Sequence, residues 1–150
     1  MASTKCGFTS APGANNGDEL LIAFGPTLAV DIGFDPNSKL GGPTPVPGIQ
    51  GVAALVDTGA TESCIDNLLA ATLNLPIVDR RKIGGVGGAH EVNMYLAQVR
   101  VPSLNFTIYG AFAGVQLAAV GQHQALLGRT FLRAFTMVYD GKTGDVTISS

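Results

Sequence analysis

The apolar run Val52-Ala53-Ala54-Leu55-Val56 ends directly on Asp57-Thr58-Gly59-Ala60. A short continuous apolar run of this kind reads as a strand buried on both faces, and this one would deliver a carboxylate into a glycine turn. That arrangement suits acid–base chemistry. The Asp-Thr/Ser-Gly pattern occurs once, since neither Asp31-Ile32-Gly33 nor Asp140-Gly141-Lys142 matches it. One carboxylate cannot act as acid and base at the same moment, so an active site built on Asp57 needs a second copy of the chain to complete it.

Two further blocks follow in order. Ile83-Gly84-Gly85-Val86-Gly87-Gly88 is a glycine-rich stretch, and Leu126-Leu127-Gly128-Arg129 runs into Thr130-Phe131-Leu132. Together with the Asp57 turn they resemble the retropepsins, the single-domain aspartic proteases of retroviruses and their cellular and bacterial relatives, over about residues 50 to 148. The resemblance implies an all-β fold: a closed barrel of antiparallel strands with one or two short helices, half of a twofold-symmetric aspartic protease. It implies that Asp57, Thr58 and Gly59 are catalytic. Thr58 would hydrogen-bond across the interface, and Ala60, Thr61, Glu62, Ile83, Gly84, Gly85, Val86 and Leu126 would meet the substrate. Leu55, Cys64 and Gln124 are secondary pocket candidates. Viral members carry an acidic residue after the catalytic Ala, paired with the arginine of the third block. Thr61 stands there in this chain, which leaves the partner of Arg129 open between Glu62, Asp66 and solvent.

The glycine-rich stretch could instead cradle a phosphate, but no Gly-Lys-Ser/Thr ends it, and Ala89-His90-Glu91-Val92 opens an alternating strand, not a helix. A mobile lid fits better. Its glycines permit unusual backbone angles, Ile83 and Val86 supply apolar contact, and its amides can bind the carbonyls of a substrate lying as an added strand. Mostly apolar walls predict extended, hydrophobic peptide substrates.

With 46% hydrophobic and 13% charged residues, the 150-residue chain reads as globular. A formal net charge of −2 gives no footprint for nucleic acid or an anionic membrane, and neither partner is expected. His90 and His123 stand apart from other ligand-type residues, so no metal and no cofactor are expected. Cys6 and Cys64 read as free thiols. No secretory signal or transmembrane stretch is visible, which makes the cytoplasm the default compartment.

Residues 1–18 are small and polar and read as a flexible N-terminal arm or leader, with the protease-like domain over 19–150. Leu20 to Phe24 and Leu28 to Phe34 read as strands, and Asp35 to Gly48, with its prolines, as an exposed loop. Asp66 is placed to cap a helix through Leu73, with Leu68, Leu69, Thr72 and Leu73 on one face. Residues 92–101 alternate as one strand of a long hairpin, Thr130 to Ala134 suits a helical turn, and Met137-Val138-Tyr139 should pair with Val146-Thr147-Ile148. The expected function is peptide hydrolysis by a homodimer in which two Asp57 carboxylates share a proton and activate one water. Two readings of another class stay open: a catalytically silent dimeric peptide-binding or assembly module of the same fold, and a monomeric ligand-binding barrel.

Overall fold

A computed structural model describes residues 2–10, 16–37, 48–85, 88–117 and 121–150. Among them are ten strands, β1 (Ser3–Lys5), β2 (Thr27–Gly33), β3 (Gly48–Val56), β4 (Cys64–Asp66), β5 (Ile77–Gly85), β6 (Gly88–Val101), β7 (Phe106–Val115), β8 (Ala125–Leu127), β9 (Thr136–Asp140) and β10 (Asp145–Ser149). Three α-helices, α1 (Gly17–Phe24), α2 (Asn67–Thr72) and α3 (Arg129–Leu132), and a 3-10 turn at Pro102–Leu104 complete the described elements.

Strands pair in the order β2-β3-β8-β4-β7-β6, and β2 also pairs with β6, so six strands close on themselves as the sequence predicts. Four of the six pairings are antiparallel, and β3–β8 and β4–β7 are parallel. Closure leaves few exposed strand edges. β5 lies outside the ring and pairs only with β6 among the described strands, giving a hairpin that projects from the barrel. A bulge between Val30 and Ile32 lets β2 switch partners, with Asp31 opposite Arg100 on β6.

β3 corrects the two-sided burial expected of its apolar run. Val52, Ala54 and Val56 are buried in the barrel, whereas Ala53 and Leu55 are only half-buried on the opposite face. The segment from Leu20 to Phe24 is helix α1, not a strand. Asp18 and Glu19 lie in its first turn, where negative charge suits the helix dipole, and Gly25 ends it at φ +71°, returning its N–H to the Leu21 carbonyl. In the segment 1–18 read as an arm, β1 lies on β10, and the amide of Ser150 donates to the carbonyl of Ala2.

Asp66 caps α2 as expected, accepting from the Leu69 N–H at 3.2 Å with one carboxylate oxygen. The other oxygen accepts from the Leu117 N–H at 3.0 Å. Leu69 and Ala70 form the buried face of this helix, while Leu68 is 75% exposed, so the apolar face is turned from the one predicted. The C-terminal hairpin takes the predicted register, Met137 opposite Ile148 and Tyr139 opposite Val146. Between barrel and hairpin, Phe131 sits with Phe106 and Phe135 in a triad whose ring centres are 4.9 to 6.0 Å apart. Such aromatic packing, dominated by buried area, anchors α3 to β7. The predicted loop lies outside the described residues at 38–47, as do Val86 and Gly87 at the hairpin tip.

Candidate active site

Asp57 leaves β3 half-buried, and its N–H donates to the Leu127 carbonyl of β8 at 2.9 Å. Its carboxylate oxygen Oδ1 accepts from the Gly59 N–H at 2.8 Å, and its carbonyl accepts from Ala60 N–H at 3.3 Å. Short side-chain-to-backbone bonds of this kind hold an Asp-initiated turn and fix the carboxylate. A Cβ on Gly59 would sit 3.1 Å from that same oxygen, which gives the glycine a local reason. Thr58 and Gly59 are exposed, and so are Thr61 and Glu62 further along the turn.

The start of α3 braces this turn. Arg129 N–H donates to the Ala60 carbonyl at 2.8 Å, and Thr130 N–H to the Thr61 carbonyl at 3.2 Å. The Arg129 guanidinium then spans the loop, donating to the Thr58 carbonyl and to Thr61 Oγ1, both at 2.8 Å. This answers the question Thr61 poses. The residue standing in place of an acid accepts from the arginine through its hydroxyl, and among the described residues Arg129 forms no ion pair with Glu62 or Asp66. A planar fork meets both acceptors through two nitrogens held in one fixed geometry, which the single ammonium nitrogen of a lysine does not reproduce. On the expectation of peptide hydrolysis, Arg129→Lys should lower turnover about ten- to a hundredfold through a misplaced carboxylate, with folding retained; peptide-cleavage kinetics beside circular dichroism check it.

Ser63 belongs to the same brace, and no motif in the residue pattern points to it. Its buried hydroxyl accepts from the Gly128 N–H at 3.1 Å and lies 3.4 Å from Thr130 Oγ1.

Beside the turn, three strands place Leu55, Leu126 and Cys64 in one row: Leu126 is opposite Leu55 on one side and Cys64 on the other. All three are half-buried, while their neighbours Ala54, Val56, Ala125, Leu127 and Ile65 are buried. These residues form an apolar row on the face of β3 that the barrel does not cover. Burial, with Glu62 and Asp57 adding negative charge, pushes the Cys64 thiol up to about 11. It stays a neutral, weakly reactive apolar contact. Gln124 stands one residue before β8 and donates its N–H to the Ala53 carbonyl.

His123 steadies the approach to that wall. Its Nε2 is 2.8 Å from Thr27 Oγ1, whose own proton goes to the Gly25 carbonyl at 3.0 Å, so Nε2 carries the hydrogen. Burial lowers the His123 pKa from its ordinary 6.5. The folded state then binds this proton less readily than the unfolded chain. The neutral ring's contribution is fully present above 6.5 and is lost as pH falls from there through the lowered value. His123→Gln should shrink the drop in melting temperature between neutral and mildly acidic pH. An unchanged drop would show that other groups carry it.

Ile83 lies opposite His90, Gly84 opposite Ala89 and Gly85 opposite Gly88 on the projecting hairpin. Ile83 and Gly84 line a cavity with residues of β6, β7 and α2, away from the Asp57 turn. Among the described residues no group of three or more His, Cys, Asp or Glu is placed to hold a metal, and no helix is long and apolar enough to cross a membrane.

A family profile described as "gag-polyprotein putative aspartyl protease" matches residues 48–134, which span the Asp57 turn, the projecting hairpin and the start of α3. No curated protein matches. Among solved structures the chain is similar to EIAV protease complexed with the inhibitor HBY-793, at 20% identity and a TM-score of 0.46, over 73% of this chain and 86% of that one.

Proposed function

This chain belongs to the gag-polyprotein aspartyl protease family, and on that premise we propose that it is an aspartic endopeptidase, active as a homodimer on extended peptides. The observation that carries the proposal is the half-site itself. One half-buried carboxylate per chain is fixed in a turn that β8 and α3 brace, next to an apolar row left open on the outer face of β3.

Peptide hydrolysis without a covalent intermediate needs a water deprotonated on one side while the carbonyl oxygen is protonated on the other. Two Asp57 side chains meeting at a twofold axis cannot both stay charged at close range, so they share one proton. The charged partner takes a proton from water as it attacks the carbonyl carbon; the protonated one gives its proton to the carbonyl oxygen. In the resulting tetrahedral diol the roles reverse, a proton passes to the amide nitrogen, and the C–N bond breaks. Exposed Thr58 is available to bond across the dimer axis. Ile83, Gly84 and Gly85 belong to the lid of this reading, beneath which the substrate lies as an added strand with apolar side chains against Leu55, Leu126 and Cys64.

A peptide library incubated with the wild type and with Asp57→Asn tests this reading. Cleavage by the wild type alone supports it. Peptides retained intact by both proteins would make the chain a binding module.

A further inference from the structure

Strands β6 and β7 pair from Val101 opposite Phe106 to Met94 opposite Ala113, and there the ladder ends although both strands run on. Beyond this last rung the β5–β6 hairpin leaves the barrel while β7 continues through Gly114 and Val115. The wedge between them is a cavity of about 540 Å³, reaching Asn67 at the start of α2. Ligand pockets span roughly 300–1,000 Å³. At the edge of the wedge Gly114 lets the buried Tyr95 ring and Asn67 pack close against β7: a Cβ there would lie 2.5 Å from the ring and 2.8 Å from Asn67 Oδ1.

The lining is unlike the apolar row beside Asp57. Three carboxamides, those of Asn67, Asn93 and Gln116, share it with the Arg80–Glu91 pair, which meets at 3.5 Å across the hairpin. The oxygen of Asn67 already accepts from the Tyr95 hydroxyl at 3.0 Å. Among the described residues no group takes up the amide donors of Asn67, Asn93 or Gln116. Arg80 and Glu91, both more than half exposed, offset one another and so give the wedge no preference for an ion of either sign, which leaves the carboxamides as the groups that discriminate. Ile83 and Gly84 line the wedge and also belong to the proposed lid, so a peptide under the lid is contiguous with it.

We propose that this wedge is a distal subsite for uncharged polar side chains, Asn, Gln, Ser or Thr, flanking the cleaved bond of the peptide substrate. The inference rests on the hydrolytic reading for its ligand. Recognition is then bipartite: apolar residues against Leu55, Leu126 and Cys64 near the reacting bond, and amide or hydroxyl side chains at the root of the lid.

Two peptides sharing one apolar core, the first flanked by Asn, Gln and Ser and the second by Ala, provide the test. The wild type should show a KM about tenfold lower for the polar-flanked peptide, from one or two added hydrogen bonds. Its kcat should be unchanged, the signature of a contact made equally in the ground and transition states. The double substitution Asn93→Leu with Gln116→Leu should cut the Ala-flanked peptide normally, which also reports folding, and lose the preference. Equal KM values in the wild type, or a preference surviving in the double variant, overturn the subsite. The same peptides are titrated onto Asp57→Asn. If the wild type cuts neither, the hydrolytic reading fails, and the wedge then stands if the polar-flanked peptide binds about tenfold tighter and falls if it does not.

Discussion

Asp57→Asn should abolish peptide cleavage, lowering kcat/KM by about a thousandfold or more, because on the proposed mechanism it removes both the general base and the general acid from a site assembled from two copies of one residue. Asn is the same size as Asp and keeps an oxygen that can accept from the Gly59 N–H, now at 2.8 Å, so the turn and the dimer should persist. Sedimentation and peptide kinetics on one preparation separate lost chemistry from lost assembly. The wild type should show a bell-shaped pH profile on the acidic side of neutral. Mixing is the sharper experiment. Adding excess variant to a fixed amount of wild type forms hybrid dimers with one carboxylate each, so activity per wild-type chain should fall towards zero as subunits exchange. If that specific activity holds constant while hybrids form, one chain suffices and the shared-proton mechanism is lost.

The order of blocks around Asp57, Gly84 and Gly128 makes the barrel and the Asp57 turn legible, because turns and glycine-rich hairpins are local events written in adjacent residues. The errors have a common physical origin. Val52 to Val56 reads as a strand buried twice over because apolar residues on an open wall look identical in sequence to apolar residues in a core; Leu55 faces the row it shares with Leu126 and Cys64. Leu20 to Phe24 is too short for its period to separate helix from strand, and the acidic first turn with the Gly25 stop decides for α1. Arg129 was ambiguous because the expected acidic partner is missing. Only the folded loop brings the Thr58 carbonyl and the Thr61 hydroxyl to the same fork. The wedge could not be read at all. It exists because the β6–β7 ladder stops at Met94 and Ala113, and its carboxamides come from positions 67, 93 and 116.

Gly128→Ala is the second large effect, and it acts through space, not backbone freedom. Gly128 has φ −92°, which any residue adopts. A Cβ added there would lie 2.6 Å from the Glu62 carbonyl oxygen and 2.7 Å from that of Ala60. Both are backbone atoms of the Asp57 turn, with no flexible end to swing aside. Gly128 is also pinned on the other side, its N–H to Ser63 Oγ at 3.1 Å and its carbonyl to the Phe131 and Leu132 amides at 3.0 and 3.1 Å. Accommodating one methyl group means pushing the turn away from α3, at an overpacking cost of about 1–3 kcal/mol. The same displacement stretches the Arg129 bridge and moves the carboxylate. Stability and turnover should therefore fall together, with kcat/KM down about a hundredfold for a shift near 1 Å. Gly110→Ala is the control, since a Cβ there meets no atom within 4 Å, the residue lies on β7 outside the candidate site, and neither fold nor turnover should register it. Denaturant midpoints and cleavage kinetics for the two variants decide the matter. A Gly128→Ala protein as stable and active as the wild type would mean that the turn and α3 are not coupled through this contact.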